Sequence, residues 1–145
     1  MDKIIQALKL AKNKKASVCS MDENNNNIII NKKIMLIAKR INLKTYYFAS
    51  KHSETTTAQF KNSNKACIYF NGGLFLKGLM LEGEMEMLND INDKKLIWNN
   101  KMNKIYKNGG VNDPDFCVLR FIAKYGNLFH AKKTEIIEFK STTSP

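Results

Sequence analysis

Six or seven short runs of strand-forming residues follow one another along this chain, with turn residues between most of them. The clearest run ends at Leu88, and from Met80 onward its glutamates alternate with apolar residues or glycine. A two-residue period is typical of a strand with one covered face. Hairpin turns join the runs and no strand–helix–strand rhythm repeats, so we expect a mainly β chain with an antiparallel sheet. A closed or nearly closed barrel of six to seven strands would protect the edges of that sheet.

The same pattern predicts where the individual elements begin and end. The predicted strands span residues 16–21, 28–38 with an interruption at 31–33, 44–49, 65–70, 74–88, 116–123 and 135–139. The predicted helices span residues 2–12, 53–61 and 90–98, with Ser53 capping the second. Turns are expected at residues 24–27, 71–73 and 126–127, because Asn, Asp and Gly favour turn geometry. Gly78 and Gly83 predict a bend or bulge, and residues 141–145 a frayed tail.

The length of 145 residues suits one domain over residues 1–145. A formal net charge of +11 makes nucleic acid a partner to consider. The lysines are scattered along the chain, however, which favours an ordinary solvated surface and makes nucleic-acid binding the weaker interpretation.

No apolar run approaches the ~20 residues of a membrane span, and the N-terminus lacks the features of a signal peptide. These features predict a cytoplasmic protein without a membrane partner.

The three cysteines, Cys19, Cys67 and Cys117, lie far apart in the sequence and lack CxxC spacing. Their odd number and wide separation argue against a disulfide framework and against a zinc site. Each lies in an apolar, strand-like run, so we expect buried free thiols. Free thiols suit a reducing cytoplasm.

The chain contains no Walker A loop and no GxGxxG, GxSxG or HExxH motif. His52 and His130 are distant in sequence, and we expect them at the surface or at strand ends rather than as metal ligands. Glu82, Glu84 and Glu86 share one strand face, which more often forms a solvated or lysine-paired surface than an acid/base pair. The sequence therefore predicts no metal site and identifies no catalytic side chain.

The segment from Thr45 to Ser53 combines an aromatic strand with a hydroxyl-rich, basic loop. The loop then opens a predicted helix. Hydroxyl groups, a lysine and main-chain N–H groups at a helix N-terminus favour phosphate. Ser50, Lys51 and Ser53 are therefore candidate phosphate contacts. The alternative is a plain strand end followed by a helix cap, which needs only Ser53.

Several segments of the chain, in order, resemble the pyridoxamine-phosphate-oxidase-like flavoproteins, and the general-stress-protein branch most closely. The matching segments are Tyr46–Ser53, Gln59–Asn62, Lys65–Phe70, Lys77–Gly83, Leu96–Trp98 and Gly110–Phe121. The most specific is the run Asp-Pro-Asp-aromatic-x-Val-Leu-Arg-Phe, which ends at Phe121. The resemblance covers about nine tenths of the chain.

The resemblance implies a split barrel that pairs as a homodimer and binds flavin mononucleotide (FMN) between its subunits. The flavin ring is expected along the strand of Lys33, Ile34 and Met35, and the phosphate at the loop and helix start. The residues expected to bind or surround the cofactor are Lys33, Ile34, Met35, Phe48, Ala49, Ser50, Lys51, Ser53, Thr56, Trp98 and Gly110. For Trp98 and Gly110, packing in the core is an equal alternative.

One departure from the family concerns the first turn after Ser53, where relatives often carry an Arg or Lys aimed at the phosphate. This chain has Glu54 followed by three threonines there. A missing charge-assisted contact costs roughly 1.5–3 kcal/mol, or about one to two decades of affinity. We expect Lys33, Lys51, or residues 39–40 to supply the missing positive charge for the phosphate. Otherwise, the chain binds flavin weakly or has turned to haem or a deazaflavin.

The function predicted from this resemblance is an FMN-dependent oxidoreductase that passes electrons from a reduced nicotinamide to a small quinone- or nitro-type acceptor. The flavin carries the redox chemistry in such enzymes, which agrees with the absence of a catalytic triad or metal cluster in the sequence. A non-catalytic flavin-, haem- or deazaflavin-binding module, or a stress-related one, is the first alternative. A basic nucleic-acid-binding barrel is the second.

Overall fold

The computed structural model describes residues 2–24, 27–61, 63–73, 76–131 and 133–139. Its strands are β1 (Lys15–Asn24), β2 (Asn27–Arg40), β3 (Thr45–Lys51), β4 (Lys65–Asn71), β5 (Gly78–Leu88), β6 (Phe116–His130) and β7 (Lys133–Glu138). Its helices are α1 (Lys3–Leu10), α2 (Thr55–Gln59) and α3 (Ile91–Ile97), with 3₁₀ turns at Asn100–Lys104 and Gly110–Asn112. Within these ranges, no helix is long and apolar enough to cross a membrane.

Every ladder between the described strands is antiparallel, in the order β3-β2-β1-β4-β5-β6-β7. β3 also pairs with β6, from Thr45 opposite Ile122 to Lys51 opposite Phe116. This second ladder closes β1 to β6 into a six-stranded barrel, and β7 is an added outer strand beside β6. The prediction of a mainly β, antiparallel split barrel with a few short helices is confirmed.

The barrel core is filled by alternate residues of the strands. On β3, Tyr46 and Phe48 are fully buried, and the Tyr46 ring lies 5.7 Å from the ring of Phe70 on β4. The Tyr46 hydroxyl donates a 2.8 Å hydrogen bond to the carbonyl oxygen of Leu43, so this buried polar group keeps a partner. Burying each large apolar side chain contributes about 1.5–3 kcal/mol, which makes this interior the main source of stability.

A second apolar cluster covers the outer face of β3. Tyr47 belongs to it, together with Tyr106 and Phe116, whose ring centroids are 4.6 Å apart. Trp98 packs on the Phe116 ring at 5.4 Å. Both faces of β3 are thus buried, which holds its last residue, Lys51, beside the loop that leads to α2.

The predicted turn at residues 126–127 is wrong, because β6 continues without a break to His130. The register of β6 against β5 shifts by one residue at Gly83 and leaves Lys124 as the extra residue of a bulge, so the irregularity expected at this glycine is confirmed. Gly126 does not form a turn. It lets the Leu81 side chain of β5 approach the backbone of β6 closely. A Cβ atom there would lie 2.7 Å from a methyl carbon of Leu81.

Other elements also differ from the sequence prediction, and β5 begins at Gly78, so residues 76–77 of the predicted strand lie outside it. β2 is continuous through residues 31–33, because Lys32 and Lys33 face solvent without leaving the strand. The second helix is shorter than expected, and its N-cap is Glu54 rather than Ser53, whose side chain bonds elsewhere. The β1–β2 hairpin closes at Asn24 opposite Asn27, as predicted. The predictions for residues 25–26, 74–75 and 141–145 fall outside the described residues.

Cys117 is buried as predicted, but Cys19 and Cys67 are only half-buried, so the prediction is wrong for these two. The reason is the two-residue period of a strand. Val18 and Ser20, the neighbours of Cys19 on β1, face the interior, which turns Cys19 to the outer face of the barrel.

Candidate functional site

β2 and β3 separate part of the way along their length. Among the described residues, their ladder comprises Ile37 opposite Phe48, Lys39 opposite Tyr47 and Arg40 opposite Tyr46. Away from this ladder, β2 follows β1 and β3 follows β6. On the part of β2 before Ile37, the main-chain N–H and C=O groups that face the gap have no ladder partner among the described strands. Such groups are strong hydrogen-bond donors and acceptors.

A cavity of about 660 Å³ lies at this gap. The residues that line it are Lys14, Lys33, Ile34, Met35, Leu36, Ile37, Ala38, Ala49, Glu54, Asn99, Lys101, Met102, Ile105 and Tyr106. Most of these side chains are apolar, and the volume lies within the ~300–1,000 Å³ usual for small-molecule sites. We call this cavity the split cavity.

The charged residues of the split cavity are three lysines and one glutamate. Lys33 forms an ion pair with Glu54, the residue just before α2. Lys14 and Lys101 add two further positive charges to the lining. The wall is therefore positive on balance, and a positive cleft attracts an anionic ligand.

The predicted phosphate loop is already engaged in hydrogen bonds within the chain. Ser50 is buried and shares a hydrogen bond with the Thr57 hydroxyl. Ser53 donates from its main-chain N–H and from its hydroxyl to the two carboxylate oxygens of Asp115, at 2.9 and 2.8 Å. The Ser53 hydroxyl is the main reason that the pKa of Asp115 lies below its usual range. A phosphate at this loop would compete with Asp115 for the Ser53 donors.

The remaining predicted residues lie around the split cavity rather than in its lining. Phe48 is fully buried in the barrel core, and the Lys51 ammonium lies 6.0 Å from the Tyr106 ring. Gly110 has a positive φ of 60° and packs near Trp98, since a Cβ atom would lie 3.4 Å from that ring. The side chain of Thr56 is outside the described part of the chain.

The structure thus brings Lys33, Ile34, Met35 and Ala49 together in one cavity. The sequence analysis named only these four of the fourteen lining residues as cofactor contacts, and the ten that it missed include Lys14, Lys101, Met102, Ile105 and Tyr106. Tyr106 is the most informative of these, because its phenol can donate a hydrogen bond at the cavity wall, and burial raises the pKa of that phenol further above neutral pH. Lys101, Met102, Ile105 and Tyr106 belong to an irregular segment after α3, where periodicity gives no signal.

Comparison with known proteins agrees with this architecture. The profile of the family described as "Pyridoxamine 5'-phosphate oxidase like" matches residues 3–143. No curated protein sequence matches the chain.

Solved structures show the same fold. A Clostridium acetobutylicum protein related to general stress protein 26 of B. subtilis is 28% identical, with a TM-score of 0.80 over 95% of this chain and 96% of that one. A NimC/NimA family protein from the same organism is 19% identical, with a TM-score of 0.68 over 94% and 92% of the two chains. A heme-binding protein from Mycobacterium smegmatis is 9% identical, with a TM-score of 0.72 over 95% and 58%. Since the family profile spans residues 3–143, the chain belongs to the pyridoxamine 5'-phosphate oxidase-like family.

Proposed function

We propose that the chain binds FMN in the split cavity and that a second copy of the chain completes the site. The observation that carries this proposal is the unpaired edge of β2 beside Ile34 and Met35, in a cavity with a positive wall. A flavin ring needs apolar contacts for its faces and hydrogen-bonding groups for its polar edge. Its phosphate needs cations. The split cavity offers all three, and membership of this family supports flavin as the ligand.

Lys101 is the cation that we assign first to the phosphate. Glu54 offsets the charge of Lys33, and Asp115 occupies the donors of Ser53. Lys101 lines the cavity from the 3₁₀ turn Asn100–Lys104 and is exposed, so its ammonium can reorient toward a ligand. Lys51, in the predicted phosphate loop, is the second candidate.

The reaction that we propose is transfer of electrons from a reduced nicotinamide to a small quinone- or nitro-type acceptor. Bound flavin supplies this redox chemistry. The residues of the chain bind and orient the ring and keep water away from it. Tyr106 retains its proton at neutral pH, as a tyrosine of ordinary pKa does, and burial raises that pKa further, so its phenol offers a hydrogen-bond donor at the cavity wall.

A homodimer would cover the open side of the split cavity. Ile34 and Leu36, which share one face of β2, are 65% and 64% exposed, and the nearby Ile105 is 55% exposed. Contiguous exposed apolar surface of this kind often marks an interface. A second copy placed here would bury this surface and exclude water from the ring.

A non-catalytic module that binds flavin, haem or a deazaflavin is the second candidate. The observation that favours it is the pair of carboxylates, Glu54 and Asp115, at the predicted phosphate loop. Negative charge there weakens the attraction for a phosphate group. Met35, Met102 and Tyr106, which line the cavity, are residue types that can ligate haem iron.

The test begins with the absorption spectrum of the purified protein and a titration with FMN. We expect a flavin band near ~450 nm and a dissociation constant in the micromolar range or tighter. Lys101→Ala is expected to weaken binding about tenfold, or ~1.4 kcal/mol. Lys104→Ala is the matched control, because Lys104 lies on the same turn but does not line the cavity. Absence of binding at several hundred micromolar FMN, or equal effects of both variants, would contradict the proposed site.

The reaction is tested on the FMN-loaded protein. A reduced nicotinamide is expected to bleach the flavin band, and a nitro compound or quinone is expected to restore it. Normal FMN binding without this cycle would select the non-catalytic module. A haem spectrum with no flavin binding would assign the cavity to haem.

A further inference from the structure

Cys19 of β1 and Cys67 of β4 lie directly opposite each other in an antiparallel ladder. Directly opposed residues have Cα atoms about 4.5 or 5.5 Å apart, and a disulfide requires a Cα separation of about 4.4–6.8 Å. After burial, the neighbouring Cys19 thiol is the next cause of the raised pKa of Cys67, which agrees with the two side chains lying close together. The backbone therefore holds this pair within the range in which a disulfide can form.

The pair faces a second cavity, of about 560 Å³, on the outer face of the barrel. Glu82 of β5 and Tyr125 of β6 continue the row of side chains across this face, and the Tyr125 hydroxyl donates to the Glu82 carboxylate. We call this cavity the outer cavity. Both cysteines line it and are half-buried, so a small thiol reagent can reach their sulfur atoms. Cys117, in contrast, is fully buried.

We propose that Cys19 and Cys67 form a dithiol site that reacts with small-molecule disulfides and closes to a reversible cross-strand disulfide. The thiolate of one cysteine attacks one sulfur of the small disulfide, forms a mixed disulfide and releases one thiolate. The thiolate of the other cysteine then attacks the protein sulfur of that mixed disulfide and releases the second thiolate. In total, the two cysteines lose two electrons and two protons, and the small disulfide becomes two thiols.

The surroundings of Cys67 make the reaction depend on pH. Burial, reinforced by Cys19 and Glu82, raises the pKa of Cys67 to about 12. Cys67 is therefore protonated at neutral pH, and the thiolate is the attacking form of a cysteine. The step in which Cys67 attacks is therefore expected to accelerate as the pH rises.

The ladder geometry also indicates that the disulfide is reversible. Directly opposed residues have Cβ atoms about 4.5–5.5 Å apart, whereas a relaxed disulfide has about 3.5–4.5 Å. A disulfide between directly opposed strand residues therefore forms at or beyond the upper end of the relaxed range, so we expect it to carry strain. Strained disulfides are more easily reduced than structural ones.

The experiment treats the purified folded protein with oxidised glutathione, then alkylates the remaining thiols and measures the intact mass. We expect only one of the three thiols to be alkylated after denaturation, a mass before alkylation that is two hydrogen atoms below that of the reduced chain, and a proteolytic fragment that joins Cys19 to Cys67. Cys117→Ala is the matched control and is expected to close like the natural chain. Cys19→Ser and Cys67→Ser each leave one reactive cysteine, which is expected to retain bound glutathione.

Two results would overturn the proposal. One is glutathione bound to both cysteines with no crosslink between them. The other is no reaction at Cys19 and Cys67 while the protein remains folded by circular dichroism. Neither readout involves flavin, so this inference and the proposed FMN site can fail independently.

Discussion

The split cavity and the outer cavity lie against the same barrel but differ in the strands behind them. At the split cavity, β2 and β3 part, and the edge of β2 is open to a ligand. At the outer cavity, β1, β4, β5 and β6 pair side by side with a bulge at Lys124, so most of the main chain is occupied by strand pairing. A sheet can therefore bind a ligand through its backbone where a ladder opens. Where the ladder is intact, its outward side chains carry the chemistry, here two thiols, a carboxylate and a phenol.

The comparison also separates stability from binding. The paired strands behind the outer cavity form the wall of the barrel and supply residues to its buried core. A change there should therefore mainly lower the free energy of unfolding. The opening at β2 contributes fewer ladder bonds, so a change there should mainly alter ligand binding or dimer formation. The following predictions test this division, beginning with the largest expected effect.

Gly83→Ala should destabilise the ladder between β5 and β6. A Cβ atom at Gly83 would lie 2.0 Å from the carbonyl oxygen of Ile122 and 2.8 Å from the Ala123 Cα atom, so the backbone of β6 must shift. We expect the free energy of unfolding to fall by about 3 kcal/mol, at the upper end for overpacking. Urea unfolding measures this change.

Gly73→Ala is the control for the Gly83 substitution. Gly73 has a positive φ of 78° but no atom within 4 Å of an added Cβ, so only backbone strain of about 1–2 kcal/mol is expected. Equal destabilisation by the two variants would mean that the β5–β6 contact at Gly83 is not tightly packed.

Ile34→Glu should disrupt the proposed dimer with little effect on the folded subunit. Ile34 is 65% exposed, so the single chain tolerates a charge there, whereas an interface would bury that charge without a partner. We expect the dissociation constant of the dimer to rise about a hundredfold, which corresponds to ~2.7 kcal/mol. Light scattering across a concentration series measures it. Ile136→Glu, on β7 and 59% exposed, should leave the oligomeric state unchanged. A monomeric natural chain, or the same shift in both variants, would exclude this interface.

Glu54→Gln should tighten FMN binding, because it releases Lys33 from its ion pair and removes a negative charge from the split cavity. We expect a gain of about tenfold, or ~1.4 kcal/mol. Since both side chains are partly exposed, the stability change should stay below about 1 kcal/mol. Glu84→Gln makes the same charge change on β5, where Glu84 pairs with Lys124 at 2.8 Å, and should leave FMN affinity unchanged. Weaker FMN binding in Glu54→Gln would show that the carboxylate helps to hold the ligand.

Asp115→Asn should cause the smallest change, which is a loss of folded-state stability that depends on pH. The Ser53 hydroxyl lowers the pKa of Asp115, so the ionised carboxylate stabilises the folded chain above the ordinary carboxyl pKa of about 4. This contribution is lost as the pH falls through the lowered pKa of the folded state. The variant should thus be less stable than the natural chain at pH 7 and equally stable in acid, as measured by urea unfolding at several pH values. A difference that persists in acid would show that charge is not its cause.

Much of the architecture could be predicted from local patterns. The alternation before Leu88 identified a half-covered strand, and Asn24 and Asn27 marked a hairpin that the structure confirms. The pattern failed at Gly126, because a glycine needed for close approach to Leu81 resembles a glycine needed for a turn. It also failed for Ser53, where a hydrogen-bond partner 62 residues away replaces the expected helix cap.

The candidate site could be predicted only in part. The strand of Lys33, Ile34 and Met35 was identified because it resembles the same strand in a known family, and the structure places these residues in one cavity. Lys14 and Lys101 were missed, since each lies in a connecting segment whose local sequence carries no sign of a cavity. Whether these residues bind a cofactor stays a prediction.

By itself, the sequence determined the fold class, because the period of apolar residues sets which face of each strand is buried. It also determined the positive net charge and the family. Tertiary structure decided that β2 parts from β3, that Asp115 occupies the Ser53 donors, and that Cys19 faces Cys67 across a ladder. The physical reason is that these contacts join residues far apart in the chain. Their register follows from barrel closure, in which β3 must pair with β6 while β2 remains with β1.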